Sequence, residues 1–98
     1  MRLKQQPTAI SLDAMDIAFR EGKATEIVIY GCSKLSWIFT FTARNPGTAK
    51  VQFFTLKTQR GKVRTWSDPR NLLQWLNERY GVSEGSFVLL DEVSEDED

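Results

Sequence analysis

Aromatic side chains are interspersed among cationic ones along one stretch of this chain, from Arg44 to Arg70. The stretch holds seven Lys and Arg residues and one acid, Asp68, so its net charge is 7 − 1 = +6. Several cations within one footprint suit a phosphate backbone, and aromatic rings among them suit stacking on bases. The residues predicted to bind nucleic acid are Arg44, Lys50, Phe54, Lys57, Arg60, Lys62, Arg64 and Trp66.

The same residues also have a purely structural interpretation. Lys and Arg on an edge strand keep sheets from pairing edge to edge, and Trp66 would then pack beneath the second predicted helix. Four other aromatic residues are expected in the core: Trp37, Phe39, Phe41 and Trp75. The sequence leaves both interpretations of the basic stretch open.

Charge divides the chain into two parts. All thirteen Lys and Arg residues lie in 1–90, whereas six of the thirteen acids lie in 91–98. Residues 1–90 therefore carry 13 − 7 = +6, and residues 91–98 carry −6. We predict one domain over 1–90 and a disordered acidic tail over 91–98. The asymmetry indicates a nucleic-acid partner; a tail that only keeps the protein soluble is the alternative.

Several kinds of chemistry have no residues to support them. The chain has no histidine, which removes the commonest general base and the commonest transition-metal ligand. Cys32 is the single cysteine, so no intrachain disulfide forms. As a nucleophile, its thiol would need a neighbouring base, and the sequence suggests none. We predict no enzyme activity, no catalytic residue, no metal, no cofactor and no small-molecule substrate. The lone thiol and the lack of a long apolar run predict a cytoplasmic protein without a membrane partner.

Hydrophobic periodicity predicts two helices and four strands. The first helix is predicted over 9–21 with Ser11 as its N-cap; the second begins after Ser67 or Asp68 and ends at Gly81. The strands are predicted over 25–30, 35–42, 50–57 and 62–66, with turns at 31–34, 45–47 and 59–61. Because every connection is short, the strands are expected to form an antiparallel meander.

The predicted fold class is α+β: an N-terminal helix, a four-stranded antiparallel meander, a C-terminal helix, a short apolar segment and the acidic tail. Two helices cannot cover both faces of such a sheet. Phe54, Leu56 and Ile38 are expected on the uncovered face, where an apolar patch predicts a homodimer interface. The apolar run 87–90 is expected to be a short fifth strand or a segment that packs on a partner.

One stretch resembles a known family. KTQRGKVRTWSDPRNLLQWLNERYG, residues 57–81, is similar to a pattern, Lys-Thr-x-Arg-Gly-x-Val-Arg-x-aromatic before a helix, of small plasmid and integrating-conjugative-element proteins. These include the ParC-type partition-associated family. The resemblance covers the C-terminal half of the domain and a similar leading helix, and it places Val63 in the core and Gly61 in the turn. The strand order is also similar to the positive-cofactor/Whirly class of single-stranded-DNA-binding domains, which are dimers.

Two functions follow as expectations. The first is a non-enzymatic nucleic-acid-binding accessory protein of a bacterial mobile element, homodimeric and favouring single-stranded DNA. Under this first function, the acidic tail competes with DNA for the basic surface or recruits a partner. The alternative is a protein–protein interaction module that acts as a plasmid partition or replication accessory factor without direct DNA binding.

Overall fold

A computed structural model describes residues 7–33, 36–44 and 50–90 and shows one five-stranded mixed sheet with two helices. The elements in chain order are β1 (Thr8–Ile10), α1 (Leu12–Arg20), β2 (Thr25–Ser33), β3 (Ser36–Arg44), β4 (Val51–Leu56), α2 (Pro69–Tyr80) and β5 (Ser86–Leu89). The strands lie in the order β1-β4-β3-β2-β5. The predicted turn at 45–47 and the predicted tail at 91–98 lie outside the described residues.

Strand directions overturn the predicted four-stranded antiparallel meander. β3 is antiparallel to both of its neighbours, β2 and β4. The two edge strands, β1 and β5, pair in parallel with β4 and β2 respectively. Four strands therefore run in one direction and β3 runs against them, so the α+β class holds but the meander is limited to β2, β3 and β4.

The first cause of this error is the short strand β1. The predicted helix 9–21 includes Ala9 and Ile10, but Thr8–Ile10 forms a strand that pairs with β4, and Lys57 N donates to Ile10 O at 2.9 Å. A strand of three residues is too short to show the two-residue alternation that identifies strands. Helix α1 consequently begins later than predicted, at Leu12, with Ser11 as the predicted N-cap.

The second cause is the predicted strand 62–66, which forms no strand. Only Val63 and Trp66 make isolated bridges, to Lys57 and Trp37 respectively. Strand β1 takes the edge of β4 that this segment was expected to occupy. The apolar run near the end of the domain supplies a strand instead, because Ser86–Leu89 pairs with β2.

The boundaries of α2 agree with the prediction because its capping residues act locally. Asp68 Oδ1 accepts a hydrogen bond from Arg70 N at 2.9 Å, and Pro69 occupies the first helical position. Gly81 has a φ of 71°, the left-handed conformation that commonly ends helices. Among the described residues, no helix is long and apolar enough to cross a membrane.

Both helices belong to crossover connections between parallel strands. The first crossover runs from β1 through α1 to β2 and passes over β4 and β3. The second runs from β4 through α2 to β5 and passes over β3 and β2, so both crossovers move towards the β5 edge of the sheet. With one handedness of crossover, both helices lie on the same face. The carboxyl ends of β1 and β4 and the N-termini of both helices consequently lie at one end of the sheet.

The core lies between this face and the two helices. Its fully buried residues are Met15, Phe39, Phe41, Leu72 and Leu76. The predicted core residues Phe39 and Phe41 are thus confirmed, while Trp37 and Trp75 are half-buried and pack against the same cluster.

The predicted dimer face was wrong for two of its three residues. Phe54 pairs in register with Phe41, their ring centroids lie 5.6 Å apart, and Leu56 is in the core. Both therefore lie on the helix face, whereas Ile38 lies on the other face. Two-residue alternation shows which residues of a strand share a face, but it does not show which face is covered.

Two fully buried threonines differ in hydrogen bonding. Thr55 Oγ1 donates to Phe39 O at 2.6 Å, whereas Thr40 Oγ1 has no partner among the described residues. An unpaired buried hydroxyl costs stability, and a paired one contributes about 1 kcal/mol. We expect Thr55→Val to lower the free energy of unfolding by about 1 kcal/mol and Thr40→Val to leave it unchanged or raise it. Urea denaturation of both variants checks this, and equal losses would contradict it.

Candidate nucleic-acid interface

Four of the eight predicted nucleic-acid-binding residues lie on one loop. The basic loop, residues 57–65, follows the carboxyl end of β4 and leads towards α2. It carries four exposed cations: Lys57, Arg60, Lys62 and Arg64. These four cations line a single groove of about 870 Å³. The sequence contains no acid from residue 50 to residue 67, so their positive potential is not neutralised within this stretch of the chain.

Thr58 fixes the shape of the basic loop. Its Oγ1 accepts hydrogen bonds from Arg60 N and Lys62 N at 3.3 Å each, and its own N–H donates to Lys62 O at 2.6 Å. Gly61, with a φ of 87°, donates to Thr58 O at 2.9 Å. Sequence reasoning missed Thr58; the available signal was a threonine three residues before a turn glycine, a position where hydroxyls bond to the local backbone.

Residues of both helices also line the groove beside the basic loop. Ser11 and Leu12 at the start of α1 line it, and so does Trp75 of α2. The N-terminus of a helix carries partial positive charge and favours anions. Carboxyl ends of parallel strands are also where ligands bind in open α/β sheets. The groove therefore combines four cations with a helix N-terminus and one aromatic ring.

The two aromatic residues predicted to stack on bases lie elsewhere. Trp66 is 7% exposed and packs against Phe39 and against Trp75 of α2, with ring centroids 6.0 and 5.5 Å apart. The guanidinium of Arg64 lies 4.5 Å from the centre of the Trp66 ring. This packing beneath α2 is the arrangement that the structural alternative expected for Trp66. Phe54 is half-buried on the helix face and does not line the groove.

Arg44 and Lys50 are separated from the basic loop by the length of β4. Arg44 pairs with Val51 at the start of β4, and Lys50 precedes that strand, whereas the loop follows Leu56 at its end. Six residues of strand span roughly 20 Å. Val63, which the family resemblance places in the core, is 40% exposed. The structure thus brings together four of the predicted site residues and leaves Arg44, Lys50, Phe54 and Trp66 outside this group.

A separate polar network joins the carboxyl-terminal halves of the helices. Arg79 donates to both carboxylate oxygens of Asp16, at 2.9 and 2.8 Å, and the hydroxyl of Tyr80 donates to Asp16 Oδ1 at 2.6 Å. The hydrogen bonds from Arg79 hold the pKa of Asp16 below its usual range. Burial, and then the bond to Asp16, raises the pKa of the Tyr80 hydroxyl. This network ties α1 to α2.

Asp16→Asn should lower stability in a pH-dependent way. Because the pKa of Asp16 is lowered from 3.8 in the folded state, its contribution is fully present above that value and is lost as the pH falls below it. We expect the variant to be less stable than wild type at pH 7, with the difference shrinking in acid. Thermal unfolding across pH measures this. Asp13→Asn, in the first turn of the same helix, is the control, and an equal effect of both variants would contradict the role of Asp16.

No family model, curated protein or solved structure matches this chain. Within the ranges that the structure describes, no group of three or more His, Cys, Asp or Glu residues could hold a metal ion. Function must therefore be argued from the arrangement of charge, helix termini and exposed apolar surface.

Proposed function

We propose that this protein binds nucleic acid, with single-stranded DNA favoured, through the basic loop and the groove beside it. The observation that carries the proposal is the convergence of Lys57, Arg60, Lys62 and Arg64 on one groove. Phosphates bind where several cations lie within one footprint. The protein would act in the bacterial cytoplasm as a non-enzymatic accessory protein of a mobile element, the context that its sequence resemblance implies.

The shape of the groove favours a single strand over a duplex. Trp75 is half-buried and lines the same groove as the loop cations. An unpaired base can stack against such a ring while its neighbouring phosphates contact the cations. The bases of a duplex are already stacked on one another, which leaves only phosphate contacts. Stacking thus belongs to Trp75 in this proposal, since Trp66 is buried.

Fluorescence anisotropy of end-labelled oligothymidine and of a labelled duplex tests this proposal. Four phosphate contacts predict a slope of log K against log salt of about −2.8 for the single strand, from about 0.7 per contact. We expect tighter binding of the single strand than of the duplex at every salt concentration. Absence of binding at about 50 mM salt, or binding that salt does not weaken, would contradict the proposal.

We further propose that the protein is a homodimer formed through the edge of β5. No other described strand pairs with the outer edge of β5, where Phe87 and Leu89 are each 67% exposed. Residues 85–90 contain no charge, although charged side chains commonly protect exposed edges. An adjacent groove of about 510 Å³, lined in part by Leu73 and Val82, can receive apolar side chains of a second copy.

Light scattering at several protein concentrations tests the dimer. Phe87→Asp should convert it to a monomer, while Val51→Asp, at another exposed apolar position, should leave it intact. A monomeric wild-type chain would contradict the dimer.

The exposed β5 edge also favours the alternative function. An extended segment of another protein could add to this edge as a further strand. The protein would then be an interaction module for plasmid partition or replication and would not bind DNA directly. Absence of nucleic-acid binding, together with an intact β5 edge that a partner protects from hydrogen exchange, would favour this function over the first.

A further inference from the structure

The last described residue, Leu90, lies at the same end of the sheet as the basic loop. β5 and β4 run in the same direction, because both are parallel to β2. The chain after Leu89 therefore emerges at the carboxyl ends of the strands, where the basic loop follows β4. Leu90 N donates to Gly31 O at 3.0 Å, which holds the chain in place up to the last described residue.

A row of paired residues measures the separation between the two segments. Trp66 pairs with Trp37, Trp37 with Gly31, and Gly31 with Leu89. Three strand spacings separate the ends of this row, which amounts to roughly 14 Å. Eight extended residues span about 26 Å. Residues 91–98 are thus long enough to cross the end of the sheet and reach the basic loop from β5.

Charge makes the two segments complementary. Residues 91–98 carry six carboxylates and no cation, and the basic loop carries four cations and no acid. A run of closely spaced carboxylates presents the same kind of ligand to Lys and Arg as a run of phosphates. Residues 7–90 also contain acids, but none of them lines the groove beside the loop.

We propose that the acidic segment 91–98 binds the basic loop of its own chain and competes there with nucleic-acid phosphates. The contact between segment and loop follows from charge and topology, and the competition rests on the function proposed above. Since the attraction is electrostatic, it weakens as salt is added. The basic loop is consequently less available to weak anionic ligands than to a strand that makes several phosphate contacts at once.

The contact is tested in the full-length chain without DNA. The test variant replaces all six acids: Asp91→Asn, Glu92→Gln, Glu95→Gln, Asp96→Asn, Glu97→Gln and Asp98→Asn. At about 50 mM salt, we expect amide NMR signals of residues 57–65 to differ between wild type and this variant, and the differences to shrink at about 500 mM. Loop signals that coincide at low salt would overturn the proposal.

The control separates a contact from a general change of net charge. Glu21→Gln with Glu26→Gln removes two acids near the opposite end of the sheet. The matched variant Glu95→Gln with Glu97→Gln removes two acids from the segment. Only the second pair should shift the signals of the basic loop. Equal shifts with both pairs would show long-range electrostatics alone and would overturn the contact.

Binding of labelled oligothymidine then distinguishes this proposal from the proposed function. We expect the six-acid variant to bind roughly three to ten times more tightly than wild type at about 50 mM salt, with a smaller ratio at about 200 mM. Equal affinities would overturn the competition while leaving DNA binding intact. Shifted loop signals with no DNA binding by either protein would retain the contact and overturn the nucleic-acid function.

Discussion

Arg60→Ala combined with Arg64→Ala should weaken binding of single-stranded DNA roughly tenfold or more at about 50 mM salt. Both residues line the groove beside the basic loop, and removal of two phosphate contacts should reduce the salt slope by about 1.4. Anisotropy titrations across a salt series measure both quantities. The loss should be largest at low salt, because counterion release contributes most there.

The matched control for this pair is Arg20→Ala combined with Lys23→Ala. Arg20 is the last residue of α1 and Lys23 lies three residues after it, near the opposite end of the sheet from the basic loop. The control removes the same formal charge, so it corrects for a change in the field of the whole protein. Unchanged affinity in the Arg60 and Arg64 variant, or an equal loss in the control, would contradict the assignment of the site.

Leu72→Ala should lower the free energy of unfolding by about 2–5 kcal/mol. Leu72 is 0% exposed and belongs to the core between α2 and the sheet. Its truncation removes apolar contacts and leaves a cavity that the surrounding side chains fill only in part. For a domain of this size, such a loss is a large share of the total stability. Urea denaturation followed by tryptophan fluorescence measures it.

The neighbouring residue provides the control for this second prediction. Leu73→Ala removes the same side chain from the same helix, but Leu73 is 52% exposed. We expect it to lower the free energy of unfolding by less than about 1 kcal/mol. Its effect should appear in self-association instead, because Leu73 lines the groove beside β5. Similar losses from both variants would contradict the orientation of α2.

The helices were predictable because their signals are local. Ser11, Asp68 and Gly81 each act within one turn of a helix end; Ser11 and Gly81 occupy their predicted positions, and Asp68 is one of the two predicted caps of α2. The polar network between the helices was not predictable in this way. Asp16 and Arg79 lie 63 residues apart in the chain, and no local sequence pattern connects them.

Sheet topology was only partly predictable, because pairing joins residues that are distant in sequence. The alternation in 35–42 predicted the strand that the structure has at Ser36–Arg44, but nothing in the local pattern distinguished a parallel edge strand at Thr8–Ile10 from the start of the helix predicted over 9–21. The same limit affected 62–66, whose composition fits a strand although β1 occupies the available edge of β4. Edge strands are therefore the part of this fold that the sequence left undetermined.

The candidate site was predictable in its charge and not in its aromatic residues. The cations at 57, 60, 62 and 64 share one short loop, so their proximity follows from sequence distance alone. Trp66 is two residues from Arg64, yet its ring is buried, while Trp75 lines the groove from another element. Composition indicates that aromatic residues accompany the basic residues, but packing decides which ring lines the groove.

The central claim is that single-stranded DNA binds the basic loop and the groove beside it. Its most direct test is an amide NMR titration of the full-length protein with unlabelled oligothymidine at about 50 mM salt. The claim predicts that the signals of residues 57–65 shift first, together with those at the start of α1 and the indole N–H of Trp75. Shifts confined to β5, or no shifts at all, would contradict it.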